Sequence, residues 1–225
     1  MKPYPFPHSL YCIATIEESS PALRADAARN RRRILAAAAA VFAERGLDAS
    51  TAEIARRAGV GEATLFRRFP TKDDLIVAIL AEQMDAVIAT SEECLREPDP
   101  WRALERFFLA VIELQVYDRG ALEAVKEECM TSPALASRRR RIMELMGKLL
   151  RRAQEARVVR DDLTAPDLAL LTAGGAAVSG VAFPGLREDL WRRYAGVILD
   201  GMRPEGATKL RPGPPPKKLF EEPQR

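Results

Sequence analysis

The chain has 225 residues, a formal net charge of +3, three cysteines and one histidine. That length accommodates one or two domains. Cys12, Cys94 and Cys129 are few, odd in number, far apart and free of any C-x-x-C spacing, which speaks against a disulfide framework or a zinc site and for a reducing compartment. The lone His8 excludes His-based triads and most metal sites, and in its proline-punctuated surroundings it reads as a bystander rather than a ligand.

In chain order, residues 1–23 form an extension with three prolines in the first seven positions, which cannot start as a helix. It has no apolar core or small-residue cleavage pattern of a secretory signal, so a cytoplasmic protein is expected. Helix one follows, with Ile34, Leu35, Ala38, Val41 and Phe42 forming an amphipathic stripe that closes at Gly46. Its polar start, Arg29 to Arg33, carries four arginines, which suit either a solvated face or the backbone of a nucleic acid.

The stretch Ser50–Lys72 reads as two short helices joined by a tight turn. Ser50 with Glu53 three residues on has the spacing of a capping box, so helix two is expected over about Thr51–Ala58. Gly59 stands where the chain needs a left-handed residue, and Val60 beyond it is apolar enough to fill the angle between the helices. A third helix starts near Gly61. Leu65 and Phe69 share its buried face, which leaves Glu62, Ala63, Thr64, Phe66, Arg67 and Arg68 on faces that a small core cannot cover. Held at a fixed angle, such a helix fits the major groove of B-DNA.

The run IARRAGVGEATLFRRFPTKDDL closely resembles the DNA-binding signature of the TetR family, IA..AGVS.GTLY.HF..K..L, over about Arg29 to Leu80. It departs at Gly61, Glu62 and Phe66, where serine, a lysine or polar residue, and tyrosine are common. The resemblance implies an all-α protein with an N-terminal three-helix helix-turn-helix domain and a C-terminal helical domain for effector binding and dimerisation. Expected DNA contacts are Thr51, Ala63, Thr64, Phe66, Arg67, Arg68 and Lys72, the last through a phosphate that offsets the unfavourable dipole at the start of helix four. The implied partners are a palindromic double-stranded operator, an unidentified small-molecule effector and a second copy of the chain, with no membrane.

Helix four begins after Pro70. Thr71 and Asp74 repeat the cap, and Leu75, Ile76, Ile79, Leu80, Met84, Val87 and Ile88 carry an apolar stripe to about Cys94. As the one continuous element joining the two domains, it is the expected lever of control. Prolines 98 and 100 break the chain, and helical segments follow over Trp101–Tyr117, Arg119–Met130 and Pro133–Arg157. The basic run Arg138–Arg141 reads as a solvated face beside the apolar stripe of Ile142, Leu145 and Met146. Residues 160–167 form a second break. Leu168–Phe183 then runs without a charge, with Gly174, Gly175, Ser179 and Gly180 permitting the close approach of another helix. With Leu186–Met202 it matches the helix pair through which TetR-like proteins dimerise. The tail beyond Arg203 is proline-rich and expected to be flexible.

From Arg24 to Lys72 eleven Lys/Arg face five Asp/Glu, a net of +6, while from Asp73 to Met202 seventeen face twenty-two, a net of −5. Only the first segment has the electrostatic footprint of a phosphate partner. No constellation supports an enzyme: Glu127 and Glu128 are adjacent and diverge around a helix, and Gly59-Val60-Gly61 lacks both the third glycine and the preceding strand of a dinucleotide fold. No cofactor is implied. The domains are placed at 24–72 for DNA binding and 73–203 for effector and dimer, with a tail over 204–225. The function that the resemblance implies is that of a sequence-specific transcriptional regulator, expected to be a ligand-responsive repressor. The alternative is an effector-free, nucleoid-associated protein with the same head, which would lack a ligand-sized cavity at Phe107, Val111 and Met143.

Overall fold

The computed structural model describes residues 21–46, 48–117, 132–180, 187 and 189–216, and all regular elements among them are helical. They are α1 (Pro21–Arg45), α2 (Thr51–Ala58), α3 (Glu62–Arg68), α4 (Lys72–Cys94), α5 (Pro100–Tyr117), a 3-10 turn (Pro133–Leu135), α6 (Ala136–Glu155), α7 (Ala165–Ala177) with a second 3-10 turn (Val178–Gly180), and α8 (Trp191–Gly201). The expected helix over 119–130 and nearly all of the N-terminal extension lie outside the described residues.

Three boundaries differ from the sequence reading. Helix α1 starts at Pro21 rather than near Arg29, because proline is tolerated at a first helical position and the alanine-rich run behind it holds no breaker. Helix α7 starts at Ala165 inside the expected break: the Thr164 hydroxyl accepts from the Asp167 N–H while the Asp167 carboxylate accepts from the Thr164 N–H at 2.8 Å, and Pro166 occupies the permissive first turn. Helix α8 starts at Trp191, after a turn in which the Arg187 guanidinium grips the Asp189 carboxylate in bidentate fashion.

The apolar stripes close two cores. The first gathers Ile34, Val41 and Phe42 of α1, Ile54 and Ala58 of α2, Leu65 and Phe69, and Leu75, Ile76, Ile79 and Leu80 from the first turns of α4. The second is built from α5, α6, α7 and α8 around Phe107, Phe108, Ile112, Met146 and Trp191. Met84, midway along α4, packs against both. Cys94 closes the far end of α4 in the second core, where burial pushes its thiol up and keeps it unreactive.

Helix α4 is not alone in joining the cores. Leu135, in the turn before α6, is 0% exposed and belongs to the first core, against α4. One turn on, Arg138 grips Asp85 of α4 with Nε and Nη2 at 2.8 and 3.0 Å, and Arg141 reaches Glu92 at 2.7 Å. Arg139 is buried and donates to the Ser132 carbonyl at 3.3 Å. The basic run therefore stitches α6 to α4 and to its own N-terminal turn, and only Arg140 is left on an exposed face. The tail is fastened as well. Asp162 takes two bonds from Arg160 and one from the Leu210 N–H at 3.0 Å, which hold its carboxyl well below the usual carboxylate range, and the Arg160 guanidinium also donates to the Thr208 carbonyl. Residues up to Leu210 are thus tied to the body rather than free.

Truncating a fully buried leucine removes its transfer energy and leaves a cavity, together about 2–5 kcal/mol. Leu135→Ala is expected to lower stability by that order in urea denaturation and to speed amide exchange in α1 and α4, although residue 135 lies far from both in sequence. An unchanged denaturation midpoint would show that the leucine contributes nothing to the head.

Candidate nucleic-acid interface

The angle between α2 and α3 is set by the chain around Gly59. Ser50 caps α2 by accepting from the Glu53 N–H at 3.3 Å. Only this half of the expected capping box forms, because the Glu53 carboxylate turns instead to Arg45 at 2.8 Å and Arg56 at 3.8 Å. At the other end Gly59 adopts φ 65°, ψ 39°, its N–H reaching the Arg56 carbonyl at 3.1 Å while the Val60 N–H reaches Ala55 at 3.0 Å. This is the paired 5→2 and 6→1 closure in which a left-handed glycine ends a helix. The Arg33 guanidinium supplies what the closure leaves unmet: it donates to the Ala58 carbonyl at 2.7 Å, a cation at the negative end of the α2 dipole. A Cβ at residue 59 would lie 2.5 Å from Arg33 Nη2, so a side chain there is opposed by backbone and neighbour alike.

Leu65 and Phe69 are buried and pin α3 to the first core, as their spacing predicts. Ala63, Phe66, Arg67 and Arg68 stand exposed on α3, Glu62 is exposed at its start and Thr64 is half-buried. Thr51 is half-buried at the first position of α2. Lys72 opens α4 behind a complete Thr71–Asp74 capping box, with its Nζ 5.6 Å from the centre of the Phe42 ring. The ring's negative face offsets some of the unfavourable dipole at that helix start, a reason internal to the chain that the sequence did not reveal.

The four arginines at the head of the apolar stripe of α1 have separate duties. Arg29 pairs with Asp26, Arg31 with Glu82 at 2.7 Å while lying 5.7 Å from the Phe69 ring, and Arg33 closes α2. Arg32 is exposed and makes no ion pair among the described residues. Three of the head's five carboxylates are taken in the same way: Asp26 by Arg29, Glu53 by Arg45 and Arg56, and Glu44 by Arg57, whose hydrogen bond holds the Glu44 carboxyl below its ordinary value, while Asp48 and Glu62 make no ion pair among the described residues. None of these pairs involves α3. Among the described residues Arg67 has no carboxylate partner, and Arg68 makes a single 3.4 Å bond to the Ala27 carbonyl. A short helix with unneutralised guanidinium groups on an exposed face is thereby left as the place where a polyanion can bind.

The expected effector residues part company. Met143 lines an open cleft of about 410 Å³ between α6 and the start of α7, together with Gly147, Leu150, Leu163 and Pro166. Phe107 and Val111 do not line it; both are closed into the second core. The glycines of α7 also face different ways. Gly175 lies against Ile112 of the same chain, where a Cβ would stand 2.6 Å from the side chain, whereas Gly174 has open space beside it. The outward face of α7 carries Leu170, Ala173, Gly174 and Ala177, all exposed, and α8 adds Tyr194 and Val197. At 52%, 46% and 66% exposure, Leu170, Tyr194 and Val197 are the large apolar side chains that the body leaves uncovered among the described residues. No described helix is long and apolar enough to cross a membrane.

Two family profiles match the chain: bacterial regulatory proteins of the tetR family over residues 34–79, and the SbtR-like C-terminal domain of transcriptional regulators over residues 99–204. A TetR transcriptional regulator from Streptomyces coelicolor is 32% identical, with 77% of this chain and 98% of that one covered at a TM-score of 0.59. A TetR regulatory protein from Mycobacterium vanbaalenii is also 32% identical, with 80% and 99% covered at a TM-score of 0.60. An uncharacterised helix-turn-helix-type transcriptional regulator of Mycobacterium bovis is 37% identical over 89 residues, so the match spans 46% of that curated relative's length.

The Gly59 closure gives a direct test. Gly59→Ala forces an alanine to positive φ and displaces Arg33, and should cost more than about 1 kcal/mol in thermal or urea denaturation. Arg33→Ala alone should recover part of the loss in the Gly59→Ala background, since the steric conflict is then removed and only the backbone strain remains. Strictly additive effects of the two changes would show that the guanidinium does not support the turn.

Proposed function

Because the chain belongs to the TetR family of bacterial transcriptional regulators, we propose that it works as a homodimeric repressor in the cytoplasm, reading a palindromic operator through α3 and releasing it when a small effector binds the body. The observation that carries this reading is the charge arrangement of the head. Asp26, Glu44 and Glu53 are drawn into pairs away from α3, and the guanidinium of Arg67 is left without a carboxylate partner among the described residues. Residues 24–72 form the reading head in this account and residues 73–203 the effector and dimer body. Ala63, Thr64, Phe66, Arg67 and Arg68 face the groove, and Thr51 and Lys72 meet flanking phosphates.

Dimerisation is supported by the uncovered apolar face of α7 and α8, with small residues at 173, 174 and 177 that let two copies approach closely. Two heads held by one rigid pair of bodies read half-sites about one turn of DNA apart. An effector releases DNA only to the extent that it binds the spread state more tightly; a tenfold loss of operator affinity corresponds to about 1.4 kcal/mol of that preference. The cleft beside Met143 favours an effector. The closed packing at Phe107 and Val111 favours the effector-free alternative, and a ligand held there would have to part the second core.

Selection of bound DNA from a random pool tests the reading: a palindromic product is expected, and a product without two-fold symmetry would count against it. On that operator, Arg67→Ala should weaken binding and relax the preference at one base pair by roughly 1–3 kcal/mol, as for loss of a guanine contact. Arg68→Ala, whose side chain is already engaged by α1, should weaken all sequences alike. If neither variant changes affinity, α3 is not the reading helix. For the dimer, Val197→Asp should give monomers in sedimentation while keeping the helical spectrum of the parent. Gly175→Asp should instead unfold the protomer, since that position faces Ile112. A Val197→Asp protein that remains dimeric would place the interface elsewhere.

A further inference from the structure

The large apolar side chains left exposed among the described residues are Phe66, Leu170, Tyr194, Val197 and Leu210. Three of these lie on the α7–α8 face and Leu210 on the tail. Phe66, 44% exposed, is the one that belongs to the head, and it is not among the apolar side chains packed against the first core. Nearly half of the residue is open to solvent, while Leu65 and Phe69 already secure α3 to the core. On α3 the exposed residues Ala63, Phe66 and Arg67 follow at i, i+3 and i+4 and share one face.

What a ring can gain on DNA is narrowly limited by its chemistry. A phenyl group has no donor for a phosphate oxygen, and its negative face is repelled by one. Of the four bases, thymine alone offers an apolar group on the major-groove edge, its C5 methyl, and aromatic or alanine side chains are suited to contact it. Given the reading of α3 as the helix in the groove, on which this inference rests, we propose that Phe66, with Ala63 beside it, reads the 5-methyl group of one thymine in each half-site. Phe66 is then a specificity-determining residue rather than an anchor on the backbone. Arg67, on the same face, meets a base close to that thymine.

The test uses the full-length protein and an operator selected from a random pool. Each thymine is replaced singly by deoxyuridine, which lacks only the methyl, and affinity is followed by fluorescence anisotropy. At one thymine per half-site the replacement should weaken the wild-type protein roughly fourfold, the worth of one lost methyl contact. Phe66→Ala should bind the thymine operator more weakly and no longer distinguish thymine from deoxyuridine there. Phe66→Leu, which keeps an apolar side chain, should retain the distinction. Because residue 66 is exposed, neither change threatens folding, which circular dichroism checks. A wild-type protein indifferent to deoxyuridine at every position, or an alanine variant with an unaltered thymine-to-deoxyuridine ratio, overturns the assignment of Phe66 and leaves DNA reading by α3 intact. A pool from which no sequence is enriched overturns the DNA reading itself and this inference with it.

Discussion

One helix contributes to both hydrophobic cores, and the rest of the molecule is arranged around that constraint. Leu75, Ile76, Ile79 and Leu80 of α4 enter the head, Val87, Ile88 and Cys94 enter the body, and Met84 sits at the change-over. Neither core can rotate about α4 without uncovering apolar surface of the other. The acids on the remaining faces of α4 are taken by three different elements: Glu82 by Arg31 of α1, Asp85 and Glu92 by α6, and Glu93 by Arg106 of α5. Exposed pairs of this kind add little stability. They fix which neighbour lies at which turn, so burial provides the energy and the charges provide the register.

That division matters under the proposed function, in which two reading helices must be correctly spaced. On that reading a change in the body would reach the head along a helix that is gripped over most of its length, so a small displacement would be transmitted rather than absorbed. Charge is divided in the same way. Asp26, Glu44 and Glu53 of the head pair with arginines away from α3, which leaves the Arg67 guanidinium without a carboxylate partner among the described residues, while residues 73–202 carry a net negative charge.

Much of this was legible in the sequence wherever a residue type answers to a local requirement. Gly59 was readable because a left-handed closure admits little else, and the outward set on α3 followed from the spacing of Leu65 and Phe69. Local reasoning failed where the deciding partner is remote. Glu53 has the spacing for a reciprocal cap but is captured by Arg45 across the bend. Gly175 announces that something comes close without saying whose side chain it is, and the answer is Ile112 of the same chain. The start of α7 is legible in Thr164-Ala-Pro-Asp167, a capping box with proline in its permissive first turn, even though the polar run 160–167 as a whole reads as a break. The roles of Arg138 and Arg141 could not be found, since nothing in a basic run says that α4 lies beside it.

The placement of Leu135 bears on how such proteins can be divided and recombined. The head is not a cassette that ends where α4 leaves it, because part of its interior is furnished by a residue from the body. A head excised after α4 would carry a leucine-sized vacancy at its base. A hybrid with the body of a relative would be sound only if that body offered a side chain of matching shape at the same point. On the proposed function, DNA preference and effector preference would diverge freely on their own surfaces, while the join between head and body would change by compensating pairs of substitutions, one on α4 and one at the foot of α6.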